Sequence, residues 1–385
     1  HFLETYSGSN DAEIQQMCAE VRWIRACNYY YVLDMFLNVP FCDKVTSESP
    51  KQISRAELFS WLENELKELE GALPATKANP YRVDKNAATF LLMRMYLNAE
   101  VYTGKEQWQN AADYAAKIMD AYTLSPVYAD MFAGDNDPSH NPVACSEFVF
   151  TIYQDAVATQ MYGGSRFLVS GSRDAKNLDF GIADSWSCWR STKTLLNVWF
   201  TDDDIVKIHD IAKTTTGVDT IAADETIIPM LAGDDRAIFS QSTQKGQEVE
   251  VEPMMTNFPK VAGDNGGTFN NSWTICKWTA LYHDGTQSLH ADTNFPDTKI
   301  PLLRASEAYL TYAEAVLRGA TGSKGSATDA VKVLRDRAHC TTAYTPTLDN
   351  ILDEWQREFY SEGRRRTDLV RFGKFISGDY LWEGK

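Results

Sequence analysis

Helical patterning at both ends of the chain, separated by a long irregular stretch, limits the folds available to it. Up to about residue 121, apolar residues recur every three or four positions, as they do along one face of an α-helix. From about Tyr122 to Lys299 that spacing is lost, and this stretch holds 12 of the 22 glycines and 7 of the 13 prolines. Helical spacing resumes at Ile300. Because helical stripes must be buried, the last helices are predicted to pack on the first ones.

The helical regions divide into separate helices with identifiable ends. Ser54 is a suitable N-cap for the second helix, and Gly71 ends it. A helix pair follows, in which Ala99, Tyr102 and Ala111 have the small–aromatic–small spacing of a tetratricopeptide repeat. The predicted helices cover residues 11–40, 55–70, 85–101, 106–121, 300–319, 326–338 and 348–363. The expected fold is mainly α, a tetratricopeptide-like helical scaffold with a large irregular mixed insertion.

Three regions follow from this pattern and together form one composite domain. They are N-terminal helical repeats at 1–121, an irregular ligand-binding insertion at 122–299, and C-terminal helices at 300–385 that pack on the scaffold. Gly319 and Gly363 stand where helix C-caps are expected. Half of the ten tryptophans lie in the insertion: Trp186, Trp189, Trp199, Trp273 and Trp278. Loops on a rigid scaffold are where binding residues concentrate, so the ligand site is predicted there.

Charge and cysteine usage narrow the partners of the chain. The formal net charge is -16 and there is no basic run, so a nucleic-acid backbone or an anionic lipid surface would be repelled. A neutral ligand suits this surface better. The seven cysteines include no C-x-x-C pair, which gives a structural zinc site little support. No cofactor is required by any motif in the sequence.

Two glutamates near the C-terminus invite a catalytic interpretation. Glu358 and Glu362 lie one helical turn apart, the spacing that a paired acid and base could have. Arginines and Asp368 surround them, so they are interpreted as members of an ion-pair network that ties the last helix to the turn after it. Two alternatives remain open: a helical glycoside hydrolase, and a tetratricopeptide-type scaffold for binding proteins.

Two acidic turns in the insertion have the residue types of a calcium site. Asp135, Asn136 and Asp137 form the first turn, and Asp292 with Asn294 forms the second. Calcium takes about six to eight oxygen ligands of this kind. The first turn is not an EF-hand, because no glutamate occupies its twelfth position. It is either part of a structural calcium site or a solvated Asx-turn.

Four stretches resemble, in the right order, the motifs of one known family. They are AEVRWIRACNYYYVLDMFLNVPF, RAELFSWLENELKELEGALP, IPLLRASEAYLTYAEAVLRG and EWQREFYSEGRRRTDLVRFGKF. The last resembles R-E-L-x-x-E-G-x-R-x-x-D-L-x-R-F-G-K, with matches at Arg357, Glu358, Glu362, Gly363, Arg366, Asp368, Leu369 and Arg371. Asn38 stands where the family usually has glycine, and Trp355 replaces a common arginine. By these stretches the chain is identified as a member of the SusD/RagB family.

The resemblance implies a function without chemistry. Members of this family look like surface lipoproteins of the outer membrane that bind glycans and cap TonB-dependent SusC-like transporters. The expected partners are therefore such a transporter and a polysaccharide or oligosaccharide, with no nucleic acid. The family's lipidated cysteine and first helices are expected upstream of His1, and a further segment after the last residue.

The insertion resembles the starch-type subgroup in particular. IYQDAVATQMYGGSRFLV is similar to its aromatic–G–G segment, and GIADSWSCWRSTK is similar to its G-x-x-x-x-W segment. By this resemblance Tyr162 and Trp186 belong to an aromatic arc that holds an α-glucan, and calcium bridges the two acidic turns. Tyr162 could instead be a turn tyrosine packed over two glycines, and Trp186 a core residue. Trp189 is interpreted as core, and Trp273 and Trp278 are further exposed-loop candidates.

A pair of angled rings suits a curved sugar polymer. A pyranose ring has an apolar face of C–H groups and a polar edge of hydroxyls. An aromatic ring can cover the face while polar side chains hydrogen-bond the edge. Two rings set at an angle favour a curved helix of sugars over a flat ribbon. The resemblance therefore implies a receptor for an α-glucan, with Tyr162 and Trp186 in its site.

Overall fold

The computed structural model of the chain is mainly α, as the sequence predicts. It describes residues 1–77, 79–173, 179–186, 188, 191–218, 224–244, 247–248 and 273–376. The helices are α1 (Phe2–Tyr6), α2 (Ala12–Met35), α3 (Arg55–Ala72), α4 (Lys85–Leu97), α5 (Ala99–Thr103), α6 (Trp108–Ala121), α7 (Gly164–Ser170), α8 (Lys193–Leu196), α9 (Asp202–Thr216), α10 (Ile228–Ala232), α11 (Ser306–Leu317), α12 (Ala327–Arg337), α13 (Ile351–Phe359) and α14 (Arg365–Arg371). None of these helices is both long and apolar enough to span a bilayer.

The strands are short and form two-stranded antiparallel sheets. They are β1 (Asn38–Phe41), β2 (Lys51–Ser54), β3 (Phe148–Ile152), β4 (Phe239–Ser240), β5 (Ser242–Gln244), β6 (Gln247–Glu248), β7 (Thr274–Ile275) and β8 (Ile300–Arg304). The pairs are β1 with β2, β3 with β8, β4 with β7 and β5 with β6. The β3–β8 pair joins the insertion to the start of the C-terminal helices, with Phe148 opposite Arg304 and Ile152 opposite Ile300.

Local signals predicted most of the N-terminal helices, but the helix predicted over residues 11–40 was too long, because α2 ends at Met35 and Asn38–Phe41 instead pair with β2. Ser54 and Glu57 form a reciprocal capping box at the start of α3, as the N-cap assignment predicted. The single helix predicted over residues 85–101 is instead divided into α4 and α5 at Asn98. Its side-chain amide donates to the Arg94 carbonyl at 2.9 Å and its oxygen accepts from Arg371 at 2.9 Å. This side chain competes with the helical ladder, which explains the break.

The helix predicted over residues 300–319 begins as a strand. Residues 300–304 pair with β3, and the helix starts only at Ser306. The apolar run IPLLR fits either structure by pattern alone, and the neighbouring strand decides it. Gly319 follows α11 with a φ of 107°, as a helix-ending glycine should. Gly363 also has a positive φ, but α13 already ends at Phe359, so its assignment as a C-cap was wrong.

The C-terminal helices pack on the earlier ones, as predicted. Helix α11 lies against α6 and α12, and α4 lies against α3 and α6. One large apolar core joins these helices. Two smaller cores lie mainly in the insertion, and they contain Trp273 and Trp278, which are 0% and 2% exposed. The interpretation of these two tryptophans as exposed-loop candidates was therefore wrong, because both fill the interior of the insertion.

Buried ion pairs hold the insertion to the last helices. Arg304 bonds Glu147 at 3.1 Å, Glu358 at 2.6 Å and Glu362 at 2.8 Å, and none of the four side chains is more than 8% exposed. Burial alone would raise the pKa of Glu358, but Arg337 and the arginines beside it hold that pKa well below its usual range. The interpretation of these glutamates as members of an ion-pair network is confirmed.

Trp355, which replaces a common arginine of the family motif, has a defined place in this network. Its ring is fully buried and its indole N–H donates to Glu314 Oε2 at 2.8 Å. The Arg364 guanidinium lies 4.0 Å from the centre of that ring. Glu314 also accepts from Arg371 at 2.7 Å. The indole thus supplies one donor and a flat face for the neighbouring guanidinium.

Candidate functional site

A turn at Gly163 and Gly164 presents Tyr162 to solvent. Gly164 has a φ of 62°, and a Cβ there would lie 2.9 Å from the side-chain oxygen of Gln154. A positive φ together with this close approach favours glycine, so the backbone accounts for the second glycine of the aromatic–G–G sequence. Tyr162 precedes this turn and is 70% exposed. Helix α7 begins directly after it and carries Arg166.

A second segment brings Trp186 to the same place. Gly181 has a φ of 88°, and a Cβ there would lie 2.5 Å from the Ala280 carbonyl carbon, so this segment lies directly against the chain at 280–281. Beyond it, the backbone N–H of Ala183 donates to the side-chain oxygen of Asn294 at 3.1 Å. The half-buried indole of Trp186 donates to Asp184 Oδ2 at 3.2 Å.

Four aromatic rings meet at this point, and we call them the aromatic arc: Tyr162, Phe167, Trp186 and Phe295. The Tyr162 and Trp186 ring centres are 6.2 Å apart with 33° between their planes. Phe295 lies edge-on to Tyr162 at 5.9 Å, and Phe167 lies 6.2 Å from Trp186. Phe167 is 45% exposed. The arc therefore presents ring surface to solvent from three segments of the insertion.

Arg166 lies behind the arc and connects it. The side chain is only 4% exposed, and its Cζ is 5.0 Å from the Tyr162 ring centre, 5.5 Å from that of Trp186 and 4.4 Å from that of Phe295. Its guanidinium donates to the Asn294 carbonyl and to the Asp184 carboxylate. One buried cation thus fixes all three segments and neutralises the carboxylate beside the indole.

This arrangement suits a neutral, ring-shaped ligand. The exposed rings can cover the C–H face of a pyranose, and the Tyr162 hydroxyl and Asp184 carboxylate can bond its edge. Because Arg166 and Asp184 cancel each other's charge, the arc offers no net attraction for a charged ligand. The 33° inclination between the Tyr162 and Trp186 ring planes suits a ligand that curves. Glu358 and Glu362 lie in the buried network and take no part.

The structure brings Tyr162 and Trp186 together, as the resemblance implied. Tyr162 is not packed away over its glycines, and Trp186 is not a core residue. Sequence reasoning missed Arg166, Phe167 and Phe295. The first two lie in the segment that suggested Tyr162, four and five residues further along the chain, so their nearness in sequence was a usable signal. Nothing local to Phe295 indicated its role. Trp189 lies outside the described residues.

The first acidic turn is buried and bonded to the protein. Asp135 accepts from the His283 backbone N–H at 3.0 Å and from its Nδ1 at 2.6 Å. Asn136 bonds the Met131 and Lys299 carbonyls through its amide. Asp137 pairs with Lys299 at 3.1 Å and with His140 at 2.9 Å. Burial would raise the pKa of Asp137, but His140 and Lys299 lower it.

The second acidic turn is arranged differently. Asp292 lies exposed in a single 3-10 turn, Ala291–Thr293, and Asn294 follows it with a φ of 61°. Within the described part of the chain, no three His, Cys, Asp or Glu side chains are grouped to hold a metal ion. The carboxylates of the first turn already have cationic partners, so a calcium ion would have to displace Lys299 or a histidine. Calcium at Asp135, Asn136, Asp137 and Asp292 stays a prediction.

Comparison with known proteins identifies the family to which this chain is similar. The sequence model of the SusD family matches residues 162–381, which include all four rings of the arc. Starch-binding protein SusD of Bacteroides thetaiotaomicron is 37% identical over 401 residues, covering 100% of this chain and 69% of that relative. This relative therefore aligns both with the helical motifs and with the segments that carry the arc.

Two solved structures share the fold. Surface glycan-binding protein A of Bacteroides thetaiotaomicron, in complex with laminarihexaose, has a TM-score of 0.61 at 20% identity, covering 99% of this chain and 73% of that one. A SusD-like carbohydrate-binding protein of Bacteroides fragilis has a TM-score of 0.66 at 20% identity, covering 96% and 69%. These two structures show a shared fold, whereas the family match and the 37% identical relative show family membership. The chain therefore belongs to the SusD family.

Proposed function

We propose that this protein is a non-catalytic receptor that binds a neutral glycan of the α-glucan, starch-like class at the aromatic arc. The observation that carries the proposal is the pair of inclined rings, Tyr162 and Trp186, held by the buried Arg166. Rings of this kind bind sugar faces without needing a charged ligand. The 33° between their planes favours a polymer that curves from one residue to the next.

The choice of α-glucan has a second support in sequence. The 37% identical relative is named as a starch-binding protein, and its similarity covers the whole of this chain. The structures solved with laminarihexaose and with a xylogluco-oligosaccharide are only about one-fifth identical, so they support the fold and not the ligand. Among glycans, the closer relative therefore favours a starch-like polymer.

The proposal that the receptor is non-catalytic rests on the ion pairs that its carboxylates make. A glycoside hydrolase needs two carboxyl groups that flank a cleft and reach the scissile bond. Glu358 and Glu362 are bonded to Arg304 inside the protein, and Asp184 is bonded to Arg166 at the arc. A carboxylate held by a guanidinium in this way is not free to reach a glycosidic bond.

The receptor is proposed to work at the outer face of the outer membrane as a lipoprotein. There it would deliver the bound glycan to a TonB-dependent SusC-like transporter. Membership of the SusD family supports this partnership. Affinity for the glycan need only be modest, since a millimolar constant corresponds to about -4 kcal/mol and a polymer makes many contacts at once.

Affinity electrophoresis tests the proposal directly. The protein is run through gels cast with amylopectin, pullulan, dextran, inulin or no polysaccharide, and each mixture is assayed for released reducing sugar. Retardation in the α-glucan gels without release of sugar is the expected result. Release of sugar would overturn the non-catalytic assignment. Retardation in no gel would overturn the α-glucan assignment and leave the family membership in place.

A further inference from the structure

A second cleft lies beside the arc, between the insertion and Tyr81, and its lining includes Asp137 of the first acidic turn with its partners His140 and Lys299. Its volume is about 330 Å³, within the range of roughly 300–1,000 Å³ that small-molecule sites occupy. Tyr81 and Tyr153 form one wall, and Tyr282 with His140 forms another. The lining also includes buried polar side chains, which distinguishes the cleft from a simple surface groove.

The walls of this cleft are aromatic and partly exposed. Tyr153 is 43% exposed and meets Tyr81 edge-on at 4.7 Å. Tyr282 and His140 lie 6.1 Å apart with 32° between their planes. The hydroxyl of Tyr282 accepts from the Leu289 backbone N–H at 3.0 Å, so its ring is held in place by its own loop. The cleft thus presents rings on two sides in fixed positions.

The polar groups in the cleft are paired with one another. Lys299 bonds Asp137 at 3.1 Å, and both side chains are at most 7% exposed. His290 bonds Asp297 at 3.1 Å, and Asp297 also accepts from the Ala156 backbone N–H at 3.0 Å. The third lining carboxylate, Asp155, accepts from the backbone N–H groups of Val157 at 2.8 Å and Thr159 at 3.1 Å rather than from a cation. The carboxylates therefore outnumber the lysine in the lining, which disfavours an anionic ligand, and rings with hydrogen-bonded polar groups suit a neutral polyhydroxyl one.

Two chain segments, residues 153–167 and 290–299, contribute side chains to both the cleft and the arc. The Asp297–Ala156 hydrogen bond joins these segments. Phe295 belongs to the arc and Asp297 to the cleft, so their Cα atoms are separated by at most about 7 Å of extended chain. A glycan held at the arc can therefore reach the cleft with a neighbouring sugar or a branch.

We infer that this cleft is a second sugar subsite, which binds one or two further pyranose units of the glycan whose main chain lies on the arc. The inference rests on the proposed function, because it takes the same class of ligand. Two linked subsites raise the apparent affinity for a polymer, since the second binding event is intramolecular. A ligand too compact to reach both subsites gains nothing from the cleft.

The test compares two α-glucans of different shape by titration. Amylopectin has chain ends and branches that can reach the cleft from the arc, whereas β-cyclodextrin, a closed ring of α-linked glucose, has none. Tyr153→Ala is expected to weaken amylopectin binding about 10-fold or more and to leave β-cyclodextrin binding unchanged. Trp186→Ala is expected to weaken both. Tyr6→Ala is the matched control, since Tyr6 is also 43% exposed and packs on one ring, that of Phe2 at 4.9 Å.

A second variant covers the case in which Tyr153→Ala fails to fold. Ser139→Trp fills the cleft from its exposed rim and keeps both walls, and it should lower amylopectin affinity to the same extent. Amylopectin affinities equal to that of Tyr6→Ala would overturn the subsite, and so would a parallel loss of β-cyclodextrin. Failure of the unaltered protein to bind either glucan would instead overturn the proposed function itself.

Discussion

Arg166 holds the segments of the arc together. It contacts three of the four rings and donates to both Asn294 and Asp184, which lie in different segments. Arginine suits this place because its planar fork can bond two acceptors while its faces lie against rings. A lysine would keep the charge but has one point-like head group.

Arg166→Lys should therefore weaken α-glucan binding more than it weakens the fold. We expect at least a 10-fold loss of affinity, about 1.4 kcal/mol, because the segments that carry Tyr162 and Phe295 are no longer held together. Titration with β-cyclodextrin measures the loss. Binding equal to that of the unaltered protein would show that the rings keep their places without the guanidinium fork.

Trp186→Ala should remove most of the retardation in amylopectin gels with little change in stability. The ring is half-buried at the surface of the insertion and belongs to none of the three apolar cores. The melting temperature should fall by no more than about 2–4 °C, the shift that roughly 1 kcal/mol produces in a domain of 150–250 residues. Phe36→Ala, at a 57% exposed aromatic far along the sequence, is the control. A loss of stability that accounts for the lost binding would identify Trp186 as structural.

At the scale of elements, α4, α11 and α14 meet through one buried glutamate. Glu307 on α11 accepts from Arg94 on α4 at 2.7 Å and also pairs with Arg364, the residue before α14. None of its carboxylate is exposed. Removing one member of a buried pair leaves an uncompensated charge, which typically costs about 3–5 kcal/mol. The three elements are thus joined by a contact that is costly to break.

Glu307→Gln is expected to lower the free energy of unfolding by about 3–5 kcal/mol, because the buried Arg94 loses the carboxylate with which it is paired. Urea denaturation, analysed with the same m-value for both proteins, measures the change. Asp336→Asn serves as the control, since that residue pairs with Lys332 on the exposed face of α12 and should matter by about 0.5 kcal/mol or less. Equal effects of the two substitutions would contradict the role given to burial.

The same pair predicts how stability changes with pH. Burial alone would raise the pKa of Glu307, but Arg364 and Arg94 lower it from the ordinary 4.5 to about 2. A depressed pKa in the folded state means that the stabilisation is complete above about pH 4.5 and is lost as the pH falls toward 2. The difference in unfolding free energy between the unaltered protein and Glu307→Gln should therefore shrink over that interval. A difference that stays constant would show that the charge is not the cause.

At the scale of the whole molecule, the predicted calcium would link two turns that are far apart in sequence. Addition of a chelator should lower the melting temperature if calcium joins the turn at Asp135–Asp137 to Asp292. The ion would have to replace Lys299 at Asp137, so Lys299→Met should raise calcium affinity by removing the competing cation. An unchanged melting temperature in chelator would show that protein contacts such as Lys299 and His140 hold the acidic turn without calcium.

Sequence predicted the scaffold better than the insertion, for a physical reason. Helix ends such as Ser54 are fixed by bonds to residues three positions away, so they can be read locally. The run at 300–304 became a strand because β3, about 150 positions earlier, lies beside it. Tyr162 and Trp186 were found through resemblance, whereas Phe295 reaches the arc only through the left-handed Asn294 and the buried Arg166. Contacts of that kind are absent from local patterns.

The pairing of Arg94 with Glu307 also limits when the helical scaffold can finish packing. The two residues are 213 positions apart, and at roughly 5–20 residues per second a ribosome needs about 10–40 s to travel between them. Arg364, the second partner of Glu307, emerges later still. Until Glu307 is present α4 cannot settle into its final surroundings, because its guanidinium would be desolvated without a counter-ion. The N-terminal helices therefore reach their final packing only when the C-terminal helices are available to them.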